Sequence, residues 1–201
     1  MPAGDPAVRI ATLADLIAAD AEGRRCEIIA GQLVQKEMGG ERHAGAQSGV
    51  LLGIGPAFRG RGDGTRPGGW VFLIEPTIAT EGSDILQPDL GGWRRETAPA
   101  DDSYPITPAP DWVCEIVYST HTKDLSYKPP VYHAMRIGHY WVVDLKSGLL
   151  TVYRWGEAGY TLVTSQPAKA VARLEPFDAI ALNVWELFGL EEAPGDEPRR
   201  P

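Results

Sequence analysis

The sequence predicts an α/β fold: a mixed β-sheet core flanked by helices, with additional antiparallel hairpins. Three observations predict it. Short strand-like runs recur along the chain between glycine, proline and serine turns. Two longer segments, one from Thr12 and one over 41–58, carry helical content instead. The run Val113-Cys114-Glu115-Ile116-Val117 is apolar on both alternating faces except at Glu115, as in a central strand covered on both sides. A chain of 201 residues, 43% hydrophobic and 23% charged, suits one domain with a proper core.

Thr12-Leu13-Ala14-Asp15 offers a hydroxyl cap with an acid three residues on. Leu13, Leu16 and Ile17 then share a helical face, and Gly23 ends the helix. Cys26 to Gln35 reads as a hairpin turning at Gly31. Residues 41–58 read as a helix despite internal glycines, and 60–69 as a Gly, Arg and Pro-rich loop. Strands are expected over Trp70–Thr80, Gln87–Gly91 and Trp112–Val117. The acidic stretch 94–110, with four prolines, reads as an exposed loop that Tyr104 can pin. Lys128–Ile137 is expected to be a short helix with Pro129 and Pro130 in its first turn, where no N–H is needed. Strands follow at His139–Asp144, Leu149–Trp155 and Tyr160–Thr164, an edge strand at 171–174, and a short helix at Asn183–Phe188. The tail from Glu191 is acidic and proline-rich.

The formal net charge of −8 argues against a basic nucleic-acid coat protein or a membrane-surface binder. Cys26 and Cys114 sit in apolar runs, as buried free thiols do. With no apolar run of about 18 residues and no signal-peptide pattern, a reducing cytoplasm is the expected location.

The chemistry concentrates between Pro88 and Asp144. Asp89 and Glu115 are carboxylates in or beside apolar runs, where desolvation is costly unless something neutralises them. A divalent cation, magnesium or manganese, is the usual answer when two carboxylates converge. Phosphodiester hydrolysis needs charge stabilised on the phosphoryl oxygens, a water oriented or deprotonated, and help for the leaving oxygen. Asp89 and Glu115 would hold the cation, the Ile116 carbonyl would add a ligand, and Lys128 would assist the attacking water. The plainer alternatives stay open: Asp89 as a turn residue after Pro88, and Lys128 as a solvated lysine, although a cation at a helix start opposes the helix dipole.

The chain also resembles the PD-(D/E)XK nuclease superfamily and, within it, the Uma family of restriction endonucleases. Pro88-Asp89-Leu90 looks like its first acidic motif, and Glu115-Ile116-Val117 with Ser119-Thr120 like its second. Asp124, Lys128 and Tyr132 follow at the family's spacing, then Gly138-His139-Tyr140-Trp141-Val142-Val143-Asp144. Glu27 to Leu33 is similar to its opening hairpin, His43 to the histidine of its next helix, and Pro176-Phe177 to Leu187-Phe188 to its close. The resemblance spans roughly residues 12–190. It implies a restriction-endonuclease-like fold and magnesium-dependent cleavage of DNA. Asp89 and Glu115 would be the metal ligands. The superfamily's Glu-x-Lys is absent, since position 117 is Val, and Lys128 would replace that lysine. Tyr118 in the turn and Pro129-Pro130 after Lys128 depart from the family pattern.

Further candidates surround these. Glu27 faces the same sheet end or is an ordinary edge residue; His43 is a cap, a surface residue or a metal or phosphate contact; Asp124 caps a turn or supports the site. Tyr132 and Trp141 read as core aromatics, His121 and Lys123 as solvated loop residues, and Asp144 as the closer of a hairpin. Arg59, Arg61 and Arg66 in the glycine-rich loop, and Arg94 and Arg95 past Asp89, are candidate DNA phosphate contacts. A homodimer follows by analogy, because a two-fold enzyme suits two strands. The rival readings are a non-catalytic DNA- or partner-binding module of the same fold, and a metal-dependent hydrolase of another phosphate ester.

Overall fold

The computed structural model describes residues 9–36, 39–80, 82–100, 102–118 and 122–195. It is a mixed α/β structure whose main sheet combines parallel and antiparallel pairs. Helix α1 (Leu13–Ala21) opens as the sequence indicates: the Asp15 carboxylate accepts from the Thr12 amide and hydroxyl, each at 2.8 Å. Strands β1 (Cys26–Ile29) and β2 (Gln32–Gln35) form the hairpin. Its two turn residues, Ala30 and Gly31, both take positive φ (50° and 72°), the condition of a tight primed turn. Helix α2 (Glu41–Phe58) follows.

The next two expected strands are each broken. Trp70–Thr80 divides into β3 (Trp70–Ile74) and β4 (Ile78–Ala79). Glu75 adopts a left-handed φ of 47° and Pro76 has no N–H to offer a ladder. Likewise β5 (Ile85–Leu86) and β6 (Leu90–Arg94) flank Gln87-Pro88-Asp89, and the expected strand over Gln87–Gly91 is not continuous. Both breaks move the chain between sheets. The four-stranded sheet runs β2-β1-β5-β4, while β3 and β6 belong to the six-stranded one. Asp89 therefore sits where the chain crosses from one sheet to the other.

The six-stranded sheet has the order β10-β9-β8-β7-β6-β3. It contains β7 (Trp112–Val117), β8 (His139–Asp144), β9 (Leu149–Arg154) and β10 (Thr161–Pro167). Strand β7 is antiparallel to β6 and parallel to β8, and every residue of it is buried. Its alternation sorts two cores. Trp112, Cys114 and Ile116 face the cluster of Val50, Ile54, Trp141, Phe177 and Leu187. Val113 and Val117 join Trp93, Tyr132, Ile137 and Tyr140 on the other side. Cys26 and Cys114 are buried free thiols.

The crossover helix α3 spans Thr122–Ala134, not Lys128–Ile137. Lys128 is thus mid-helix and not at a helix start, so the dipole argument made for it does not hold. Pro129 and Pro130 lie inside the helix, where each removes a backbone donor. Packing outweighs that cost locally: Tyr132, four residues on from Lys128, is fully buried beneath the sheet. The chain closes with β11 (Val171–Ala172) paired to β12 (Leu182–Asn183) and the single turn α4 (Val184–Leu187). The 94–110 segment is pinned on both sides. Tyr104 donates to Asp20 at 3.0 Å, and the Trp93 indole donates to the Pro108 carbonyl at 2.9 Å.

Gly49 and Gly53 of α2 have a packing reason. A Cβ at Gly49 would overlap the Glu186 carbonyl at the end of α4, which is backbone and cannot swing aside. Gly49→Ala is expected to lower stability by about 1–3 kcal/mol, read as a lower thermal midpoint with an unchanged circular-dichroism spectrum. Among the described residues no helix is long and apolar enough to cross a membrane.

Candidate active site

Three carboxylates and two amines meet where the sheets join. The β6–β7 ladder pairs Leu90 with Cys114, so one further step places Asp89 opposite Glu115. Strand β6 has stopped there, which leaves the Ile116 amide without a ladder partner. The Asp89 carboxylate takes it: the Ile116 N–H donates to Asp89 Oδ2 at 2.7 Å. His43 Nε2 lies 3.1 Å from the same oxygen. Lys36 Nζ donates to Asp89 Oδ1 at 2.8 Å and to the Gln87 carbonyl at 2.9 Å. Gln47, one turn beyond His43 on α2, donates to the Asp89 carbonyl at 2.9 Å.

Glu115 projects from β7 toward α3. Lys128 Nζ donates to Glu115 Oε1 at 3.0 Å and forms an ion pair with Glu27 Oε1 at 3.1 Å. The Tyr132 hydroxyl donates to the same Glu115 oxygen. Lys128 and Tyr132 are i and i+4 on α3, so one helical face grips one carboxylate. Glu27, from β1, also accepts the Gln87 amide at 2.7 Å, which ties the small sheet to the junction. Glu27, Asp89, Glu115 and Lys128 are the buried charged residues among those described, each with 3% or less of its surface exposed. Such a group is retained only if its charges are paired.

The environment drives the two central acids apart. Burial opposes ionisation of Asp89, yet His43 and Lys36 outweigh it and hold the carboxyl well below the usual range. Burial raises Glu115 to about 7, Lys128 pulls it back, and the neighbouring Asp89 charge raises it further. Burial and Glu115 raise the Tyr132 phenol well above its ordinary value, which keeps it a donor. His43 is raised, chiefly by its hydrogen bond to Asp89.

The His43–Asp89 pair gives a pH prediction. Asp89, with its lowered pKa, contributes stability above its unfolded value of about 3.9 and loses it as pH falls. His43, with its raised pKa, contributes below about 6.5 and loses it as pH rises through its folded value. The stability difference between the wild type and His43→Gln is expected to be largest at about pH 4.5–6 and to shrink above it. Urea midpoints across the range measure it. A difference that grows toward pH 9 would contradict the pair.

The sequence candidates are thus divided. Asp89, Glu115, Lys128, Glu27 and His43 come together, and Ile116 joins them through its amide. His43, read as a cap, surface residue or contact, is half-buried against Asp89. Tyr132 is a core aromatic, as read, and also a hydrogen-bond donor to the site. Asp144 closes a hairpin, accepting from the Lys146 and Ser147 amides. The side chains of Lys123 and Asp124 lie outside the described residues, as do Ser119, Thr120 and His121. The arginine candidates lie elsewhere. Arg59 caps the opposite end of α2, about 24 Å of helix from His43. Arg66 is held by Asp63 at 2.7 Å. Arg94 stacks over Trp70 at the far end of β6, about 17 Å of strand from Asp89. Lys36 and Gln47 are additions. Only the i, i+4 spacing of His43 and Gln47 hints at the second; nothing in the sequence around Lys36 marks it.

The model of the Uma2 family, described as "Putative restriction endonuclease", matches residues 11–184. The chain belongs to the Uma2 family. A solved structure with the same architecture is that of a putative nuclease belonging to DUF820 from Anabaena variabilis. The two superpose with a TM-score of 0.64 at 19% identity, over 89% of this chain and 97% of that one. At that identity the likeness shows the fold, and this Uma2 chain shares it. No curated protein matches the chain.

Among the described residues no group of three or more His, Cys, Asp or Glu side chains is arranged to hold a metal ion. Asp89 and Glu115 each carry hard carboxylate oxygens, the ligand type that magnesium takes while keeping several waters.

Proposed function

We propose that this Uma2 chain is a magnesium- or manganese-dependent endodeoxyribonuclease. The observation that supports it most is the convergence of buried Glu115 and Glu27 on the buried amine of Lys128, with buried Asp89 opposite Glu115 at the end of the central strand. Buried carboxylates with opposed shifts beside an amine are what phosphodiester chemistry uses. Family membership supports DNA as the substrate.

Asp89 and Glu115 would hold the cation, with the Ile116 carbonyl as a further ligand. A cation bound there supplies charge stabilisation to the phosphoryl oxygens and acidifies water. The protein groups do the positioning. The Ile116 amide and His43 fix Asp89 Oδ2, while Tyr132 and Lys128 fix Glu115 Oε1. Lys128 would orient the attacking water from the carboxylate side, and Glu27 holds its amine in place. A two-fold pair of chains would address both strands of a duplex.

Supercoiled plasmid incubated with Mg²⁺ or Mn²⁺ tests this. Nicked and linear products that disappear with chelator are the expected result. No product with either ion would overturn it.

One observation favours a second reading, a non-catalytic binding member of the fold. Asp89 is already paired with Lys36 and His43, and Glu115 and Glu27 share Lys128, so each carboxylate has a partner without a metal. That reading predicts no thermal stabilisation at millimolar Mg²⁺, whereas a ligand of the native state must raise stability by mass action.

A further inference from the structure

The cations beside the carboxylates are not the arginines of the glycine-rich loop. Lys128 is 2% exposed and locked between two acids, so it cannot reach out to a polyanion. Two other cations stand at the outer edge of the same cluster. Lys36 keeps 13% of its side chain exposed while its amine holds Asp89 Oδ1. Arg42, the neighbour of His43 on α2, is exposed. Its guanidinium lies 5.3 Å from the Tyr118 ring centroid, with Nη1 3.4 Å from the Tyr118 hydroxyl and Nη2 3.3 Å from the Leu145 carbonyl. Tyr118 follows β7 directly, three residues after Glu115, and is 57% exposed. Arg42 is therefore held at the end of the strand that carries Glu115, and Lys36 on the acid opposite.

We propose that Lys36 and Arg42 form the phosphate-contacting rim of this site, with Tyr118 as the shelf that positions Arg42. The proposal rests on the nuclease reading of the same carboxylates. A chain of net charge −8 repels a polyanion at long range, so local cations must receive it. A scissile phosphodiester has to approach Asp89 and Glu115, and the contacts of Lys36 with Asp89 and of Arg42 with Tyr118 and Leu145 place two cations near that approach. Glu41, the acid next to Arg42, is exposed and subtracts from the rim's charge. An arginine fixed on an aromatic face loses little freedom when it meets a phosphate. Lys36 has a second consequence. A divalent cation arriving at Asp89 competes with its amine, and the released amine is then beside the bound phosphodiester.

The test uses the full chain and a fluorescein-labelled 30-base-pair duplex, with Ca²⁺ in place of Mg²⁺ to hold turnover down. Affinity is followed from about 50 to 200 mM salt. Each phosphate contact contributes about 0.9 to the slope of log K against log salt. Lys36→Gln and Arg42→Gln are each expected to lower the slope by about that amount and to weaken binding several-fold. Lys36→Arg and Arg42→Lys are expected to restore the slope, which a merely structural defect would not permit. Tyr118→Ala is expected to weaken binding without changing the slope. Arg66→Gln and Arg94→Gln, far from the carboxylates, provide the opposing arm. Rim variants with wild-type slope and affinity, in a protein that cleaves plasmid, overturn the rim and leave the nuclease reading intact. A wild type that neither binds duplex nor cleaves overturns both.

Discussion

Lys128→Met is expected to destabilise the protein by about 3–5 kcal/mol at neutral pH, the scale seen when one partner of a buried ion pair is removed. The amine is 2% exposed and within 3.1 Å of carboxylate oxygens of both Glu27 and Glu115. Without it those acids lose the contact that offsets their burial, and the tendency that already pushes Glu115 up is left with less opposition. The sign with pH follows. A carboxyl whose folded pKa is raised stabilises below its unfolded value of about 4.3 and forfeits that stability as pH rises through the folded value. The penalty of Lys128→Met is therefore expected to be smallest near pH 4–5 and largest above pH 7. Chemical denaturation at several pH values measures it. A Lys128→Met protein as stable as the wild type at pH 8 would mean that the amine is not the partner of those acids.

Asp89→Asn and Glu115→Gln are expected to reduce plasmid cleavage by about a thousandfold or more each. Loss of the cation removes several kcal/mol of charge stabilisation in the transition state, and each 1.36 kcal/mol is tenfold in rate. The two substitutions keep size and part of the hydrogen bonding, so their effect on folding is expected to be much smaller than on rate. Asp89→Asn loses an acceptor for His43 and Lys36 and is the more destabilising of the two. Glu115→Gln retains an oxygen for the Tyr132 hydroxyl. Single-turnover cleavage at saturating enzyme separates rate from binding. Full cleavage by both variants would remove these carboxylates from the chemistry.

The sequence makes the acids visible for a physical reason. Glu115 interrupts a run that is otherwise apolar on both faces, and a buried charge of that kind has to be paired. Asp89 is marked by Pro88, which stops the ladder and frees the carboxylate to cap the Ile116 amide. Glu27 and His43 were legible as positions in a resemblance, although their partners were not. Their contacts with Lys128 and Asp89 link residues distant in the chain and depend on how the two sheets join. Lys36 was not legible at all. It follows a four-residue strand, and its partner Asp89 is 53 residues away. The strand breaks at Glu75-Pro76 and Gln87-Pro88 were readable in their prolines, yet the runs on either side are strand-like, and periodicity alone joins them. The start of α3 lies before the place that Pro129-Pro130 mark, since adjacent prolines usually belong to a first turn. Here the helix continues through them to carry Lys128 and Tyr132 onto Glu115.

Titration of the protein with Mn²⁺, followed by the loss of its free-ion electron paramagnetic resonance signal, bears most directly on the cation. Binding of about one ion per chain at submillimolar to millimolar concentration is predicted, abolished by Asp89→Asn and by Glu115→Gln and retained in Arg66→Gln. Binding that survives both carboxylate substitutions, or no binding at all, would contradict a cation shared between Asp89 and Glu115.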